Sequence, residues 1–183
     1  MTRVIAILSV LIITFSFLAH SQNGFVYEKS ILTGPNKGNK FSKEFLLWIE
    51  KQTVVELISN NKEDSIVAKG KFAFENNVVY PGSATISRTY MSQTNGSVVY
   101  KVAFVCREDQ YIVRFYDFEH KPSGQSDVII FGKLTNAQNP PDYLMMDYDS
   151  DWCVNVWKFL KEQCVSSSSS IILQLQNEMA TVK

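Results

Sequence analysis

The stretches SVVYKVAFVC at residues 97–106 and QYIVRFYDF at residues 110–118 decide the fold of this chain. In both, apolar and polar side chains alternate with a period of two, which is typical of strands that bury one face. Arg107-Glu108-Asp109 separates the two stretches and predicts an antiparallel hairpin. The buried face is predicted to hold Tyr100, Val102, Phe104 and Cys106 together with Tyr111, Val113 and Phe115. The opposite face is predicted to show Lys101, Arg107, Arg114 and Tyr116.

Outward from this hairpin, the same alternation predicts more strands. They are expected at residues 25–32, 54–58, 65–74 and 84–91, with a further short strand at 128–131. In the longest of them, Lys69 and Lys71 lie on the side opposite to the apolar residues, together with Val67 and Ala73. These lysines therefore join the polar face of the sheet.

Two segments follow a helical period instead. Residues 42–52 begin with Ser42 as an N-cap and carry an apolar stripe, namely Phe41, Phe45, Trp48 and Ile49. A second helix is predicted from Asp149 or Ser150 onward, with a stripe of Cys153, Val156, Trp157, Leu160 and Cys164. The run of five serines at 166–170 either breaks this helix or forms its solvated face, because serine is a mediocre helix former.

The element order predicts an α+β fold. We expect an antiparallel sheet of about five strands with two helices packed on one face, in the order β-α-β-β-β-β-α. The other face of such a sheet is left partly open to solvent.

The N-terminal residues predict export. Arg3 precedes an apolar run from Val4 to Leu18, and Ala19-His20-Ser21 offers small residues for cleavage before Gln22. The 15-residue run is shorter than the roughly 20 residues that span a bilayer. We therefore predict a signal peptide at 1–21, a single α+β domain at 22–183 without a membrane span, and a periplasmic or secreted location.

Composition excludes several function classes. The chain has 18 Lys and Arg against 18 Asp and Glu, and the leader holds one base and no acid, so the remainder carries about one net negative charge. A nucleic-acid binder is expected to be strongly basic, so nucleic acid is not predicted as a partner. No glycine-rich phosphate loop, G-x-S-x-G elbow or H-E-x-x-H motif is present, and no cofactor is predicted.

Metal and thiol chemistry have weak support in the sequence. Asp147, Asp149 and Asp151 alternate as in a calcium loop, but Trp152 and Lys158 hold the places of the required glycine and final acid. These acids are predicted to lie at a helix N-terminus, and no metal site is predicted. Cys106, Cys153 and Cys164 are predicted to be reduced core residues, with a disulfide from Cys106 to either of the others left open.

Three segments resemble a known bacterial family. They are FSKEFLLWI at 41–49, DSIVAKGK at 64–71 and YKVAFVCREDQYIVR at 100–114. They are similar to a domain-of-unknown-function family of exported proteins described as having a TATA-box-binding-protein-like (TBP-like) fold, over about residues 25–120 and the C-terminal helix. The chain departs from the family by lacking a glycine in the turn at 108–110 and by a longer polar insertion between Phe74 and Ala84. The resemblance implies a TBP-like fold but no known activity, and a fold name does not imply DNA binding.

These observations predict an exported, non-enzymatic binding or structural domain of the bacterial cell envelope. A candidate ligand-binding sheet face holds Lys69, Lys71, Lys101, Arg114 and Tyr116, and the insertion near Pro81 is a second candidate region. The expected partner is an envelope protein or an acidic or glycan ligand. One alternative is a thiol-dependent envelope hydrolase with Cys106 as nucleophile and His120 as base. Another is a structural subunit that adds strands at a sheet edge. Under the binding hypothesis, His120 is expected to be solvated at a strand end.

Overall fold

A computed structural model of the protein describes residues 24–32, 38–61, 65–107, 110–124 and 127–181. The predicted leader at 1–21 and the Glu108-Asp109 pair of the predicted hairpin turn lie outside these ranges. The cleavage site and the export of the chain therefore stay predictions.

The described strands form one antiparallel sheet. They are β1 (Tyr27–Leu32), β2 (Val55–Asn61), β3 (Ser65–Phe74), β4 (Gly96–Cys106), β5 (Gln110–Pro122) and β6 (Gly132–Lys133). The order across the sheet is β1-β5-β4-β3-β2, and the short β6 also pairs with β5. The predicted hairpin at residues 97–118 is formed by β4 and β5 and lies in the middle of the sheet. In it, Cys106 pairs with Tyr111. The predicted antiparallel α+β class is confirmed, with six strands in the described ranges rather than about five.

The helices of the described ranges are α1 (Gly38–Lys51), α2 (Ala84–Thr94), α3 (Asp142–Asp147) and α4 (Ser150–Thr181). The backbone N–H of Trp152 donates to Asp149 Oδ1 over 2.8 Å, which confirms that this acid caps α4. Nowhere in the described ranges is there a helix with both the length and the hydrophobicity needed to cross a membrane.

The core lies between one face of the sheet and the two long helices, α1 and α4. Phe45 of α1 stacks on Phe104 of β4 with ring centroids 4.7 Å apart. Phe159 of α4 contacts Phe74 of β3 at 5.8 Å. Full burial of a side chain such as Phe45, Phe74 or Phe104 contributes about 1.5–3 kcal/mol. Because both helices pack on the same face, the opposite face of the central strands is left without a helix among the described residues.

Residues 84–91 form most of α2, so the strand predicted there is wrong. Ser83 accepts a hydrogen bond from the Ile86 backbone N–H over 3.3 Å and caps the helix. Ser87 and Thr94, seven residues apart, are both buried, which is a helical spacing. The short strand expected at 128–131 is also displaced, because β6 is Gly132–Lys133.

The serine run at 166–170 does not break the C-terminal helix. Cys164, Ser168, Ile172 and Leu175 are all buried and continue the apolar stripe of α4. Ser169 on the flank of this stripe meets the Tyr27 hydroxyl at 2.8 Å. Packing therefore outweighs the weak helix propensity of serine here.

The insertion near Pro81 is mostly anchored rather than free. Asn76 is buried, and its Nδ2 donates to Thr94 Oγ1 over 2.7 Å. Tyr80 stacks on Tyr90 of α2 at 4.0 Å between ring centroids. Val79 between them is 72% exposed. These contacts give the segment a structural role in holding α2 against the core.

Candidate functional site

The structure brings the five predicted sheet-face residues together. Lys69 pairs with Lys101 across β3 and β4, and Lys101 pairs with Tyr116 across β4 and β5. Lys71 lies two residues along β3 from Lys69, opposite Val99. Arg114 lies two residues along β5 from Tyr116 in the other direction, opposite Ala103. We call this side of β3, β4 and β5, defined by these five residues, the open face.

The open face carries ion pairs that neutralise part of its positive charge. Lys101 Nζ lies 2.8 Å from Asp117 Oδ2, and Arg114 pairs with Glu28 of β1. The hydrogen bond to Asp117, and then the charge of that carboxylate, raise the pKa of Lys101. Lys101 Nζ also lies 5.9 Å from the centre of the Tyr116 ring. Two of the four predicted bases of the open face, Lys101 and Arg114, therefore form ion pairs with acidic residues.

Sequence reasoning missed these acids, and a bulge explains one of them. The register between β4 and β5 shifts between Val99 and Lys101, and Asp117 adopts a positive φ of 54°. A bulge of this kind inserts one residue into a strand and redirects the side chains that follow. Here it places the Asp117 carboxylate beside Lys101. Glu28 could not be assigned to the face because the pairing of β1 with β5 leaves no local signal in the sequence.

Lys69 and Lys71 differ from the other bases of the open face. Both side chains are exposed, and neither forms an ion pair with any described residue. They project from alternate positions of β3, so they stand about 7 Å apart along the strand. Tyr116, by contrast, is half-buried, and burial is the main cause that raises the pKa of its hydroxyl.

The structure does not form the nucleophile–base pair that the hydrolase alternative requires. Cys106 ends β4, whereas His120 pairs with Val98, eight positions away along the same strand. The strand rise separates them by about 27 Å. His120 is 1% exposed, so the expectation of a solvated histidine is also wrong. Its Nε2 lies 2.9 Å from Thr94 O, and its Nδ1 accepts the Phe131 N–H.

The three cysteines are free thiols with suppressed acidity. Burial raises the pKa of Cys164 to about 12 and that of Cys153 to about 11, and it also raises the pKa of Cys106. A thiol with a raised pKa holds little of the thiolate form that attacks substrates or binds metals. In the part of the chain that the structure describes, no three His, Cys, Asp or Glu side chains cluster closely enough to hold a metal ion.

Comparisons with known proteins show the fold. No protein-family model matches the sequence. No curated protein matches it. A DUF4468 family protein from Bacteroides ovatus has a similar structure, with a TM-score of 0.51 and 11% identity over 84% of each chain. A TBP-like protein from Parabacteroides distasonis gives a TM-score of 0.49 and 12% identity over 86% of this chain and 94% of that one. The predicted resemblance to a bacterial domain of unknown function is thus confirmed in its architecture, and the chain shares the α+β fold of the DUF4468 family protein.

Proposed function

We propose that this chain is an exported, non-enzymatic binding domain that contacts an acidic surface of another envelope protein through its open face. The observation that carries the proposal is the pair Lys69 and Lys71. Both ammonium groups are exposed, lie on the same face and form no ion pair with a described residue, although Glu56 of β2 stands opposite Lys69 in the register. Opposite charges on a partner would pair with them and fix its orientation.

The surroundings of the two lysines support a protein partner. Val67, Val99 and Ala103 lie beside them on the open face and are half-buried. Arg114 and Lys101, held by Glu28 and Asp117, form a polar border on the β5 side. Apolar side chains next to a charged border are the usual composition of a protein–protein interface.

Export is supported by the leader-like composition of residues 1–21. Expression of the full-length gene in a bacterial host, followed by N-terminal sequencing of the periplasmic protein, tests this part of the proposal. We expect the recovered chain to begin at Gln22. A chain recovered only from the cytoplasm with Met1 in place would contradict export.

Charge reversal tests the open face. Wild-type protein and the double variant Lys69→Glu, Lys71→Glu are used to capture partners from envelope extracts, with quantitative mass spectrometry as the readout. The matched control is Lys43→Glu, Lys133→Glu, which changes the net charge equally at exposed positions of α1 and β6. We expect partners whose capture weakens at high salt to be lost from the first variant and kept by the control. Equal recovery by all three proteins would contradict the proposal.

A further inference from the structure

A half-open cavity of about 300 Å³ lies on the helix side of the sheet and borders the open face at Lys71. It is bounded by the end of α1, the start of β2 and the serine run of α4. Three aromatic residues are among its lining, the half-buried Phe72 and the buried Trp48 and Tyr100, and we call them the aromatic wall. Ser167, Ser170 and Gln174 of α4 form part of a polar wall. The volume is at the lower end of the range for small-molecule sites, about 300–1,000 Å³.

The cavity adjoins a buried hydrogen-bond donor that has no partner. Trp48 is 2% exposed, and its Nε1 meets no acceptor within the described part of the chain. The other two tryptophans are satisfied, because Trp152 Nε1 donates to Val78 O over 3.1 Å and Trp157 Nε1 donates to Ala137 O over 3.0 Å. An indole N–H can only donate, and leaving it buried without an acceptor is unfavourable. A ligand that supplies an acceptor at this cavity would remove that penalty.

The fold also makes room for one of the lining aromatic rings. A side chain at position 70 of β3 would overlap the Tyr100 phenol, so Gly70 leaves the space in which this ring lies. Burial raises the pKa of Tyr100 to about 12, so its hydroxyl is neutral at physiological pH. Among the described residues, no acidic side chain lines the cavity, and Lys71 is the one basic residue that does. The available groups are thus mostly neutral hydroxyls, amides and rings.

From this lining we propose that the cavity binds a neutral monosaccharide unit, with a sugar oxygen accepting the Trp48 Nε1 hydrogen. A pyranose ring has an apolar C–H face that fits an aromatic wall. Its rim of hydroxyls both donates and accepts, which fits serine hydroxyls and glutamine amides. Most of the cavity lining lies on the side of the sheet opposite to the open face, with which the cavity shares Lys71.

Nuclear magnetic resonance of the three tryptophan side chains tests the proposal. The full chain contains three indole N–H groups, and two of them serve as internal controls because they are bonded to backbone carbonyls. Glucose, galactose and N-acetylglucosamine are titrated separately at millimolar concentrations, and Trp48→Phe assigns the signals. We expect at least one sugar to shift the Trp48 indole signal while those of Trp152 and Trp157 stay in place. No shift of the Trp48 signal with any of the three sugars would overturn the proposal, as would an equal shift with cyclohexanol.

Matched variants of α4 locate the site. Gln174→Ala removes a lining amide, whereas Gln176→Ala removes the same group from a position that does not line the cavity. Loss of one hydrogen bond of ordinary strength should weaken sugar binding about fivefold in the first variant only. Lys69→Glu, on the open face, should leave the titration unchanged. Equal weakening of sugar binding by the two glutamine variants would refute the proposal that the sugar binds in this cavity.

Discussion

At the scale of single residues, His120 is a buried polar group that forms a hydrogen bond through each of its ring nitrogens. Its Nδ1 accepts from the Phe131 backbone over 3.3 Å, and its Nε2 lies 2.9 Å from Thr94 O. Both bonds are made together only by the neutral ring with its hydrogen on Nε2. Phe74 and Phe131 approach the imidazole edge to face. Burial lowers the pKa of His120, and the bond to Thr94 offsets part of that effect.

This environment predicts a loss of stability in mild acid. Since the folded-state pKa is depressed, the unfolded chain takes up a proton first as the pH falls through about 6.5. The free energy of unfolding therefore decreases below that pH, by at most about 1.4 kcal/mol per pH unit from this group. The urea midpoint of the wild type should fall more between about pH 7 and pH 5 than that of His120→Gln. Parallel falls in the two proteins would show that other groups cause the acid sensitivity.

Residue positions could be predicted only as far as strict alternation holds. Alternation assigns Arg114 to the correct face because this residue precedes the bulge at Asp117 on β5. It also assigns Lys69 and Lys101 correctly, because they lie on β3 and β4. After the bulge the inward and outward positions exchange, so Phe118 and His120 point into the core. A single inserted residue has this effect because the side-chain period of a strand is two. No local pattern announces the bulge, so the burial of His120 was not predictable.

At the scale of elements, Ser168 marks where α4 packs against the core. It is 1% exposed and occupies the buried stripe between Cys164 and Ile172. We expect Ser168→Leu to lower the free energy of unfolding by about 1–3 kcal/mol, because the larger side chain overfills a close-packed site. Val165→Leu on the exposed side of the same helix should have little effect, since Val165 is 38% exposed. Urea denaturation measures both, and equal midpoints for the two variants would contradict this packing.

The helices show where local signals suffice and where they fail. The stripe of α4 from Cys153 to Cys164 repeats at helical spacing over three turns, which made the helix predictable. The segment that forms α2, Ala84–Thr94, lacks a comparable apolar stripe, and its buried positions are the polar Ser87 and Thr94. Its helical state depends on the Ser83 cap and on contacts with Tyr80, which a period search does not detect.

At the scale of the whole molecule, strand order is the feature that the sequence could not supply. β1 pairs with β5, which begins more than 70 residues later, and β2 ends the sheet on the other side. Which strands pair depends on how the side chains of the complete core pack together. Aromatic residues from strands, loops and α4 meet there, as where Phe131 approaches both Trp152 and Trp157. Because one core joins the sheet to α4, we expect this helix to unfold together with the sheet.

Thiol labelling tests that expectation with the cysteines of α4. In a Cys106→Ser background, Cys153 and Cys164 are the remaining thiols, and both are fully buried. A disulfide reagent should reach them only through opening, so both labelling rates should rise with urea at the slope of global unfolding measured by fluorescence. Cys106 in the wild type, half-buried at the end of β4, should react without global unfolding. Its rate should increase as the pH rises toward its raised pKa, because the thiolate is the form that attacks the reagent. A weaker urea dependence at Cys164 than at Cys153 would mean that the C-terminal half of α4 detaches on its own, contrary to a single cooperative core.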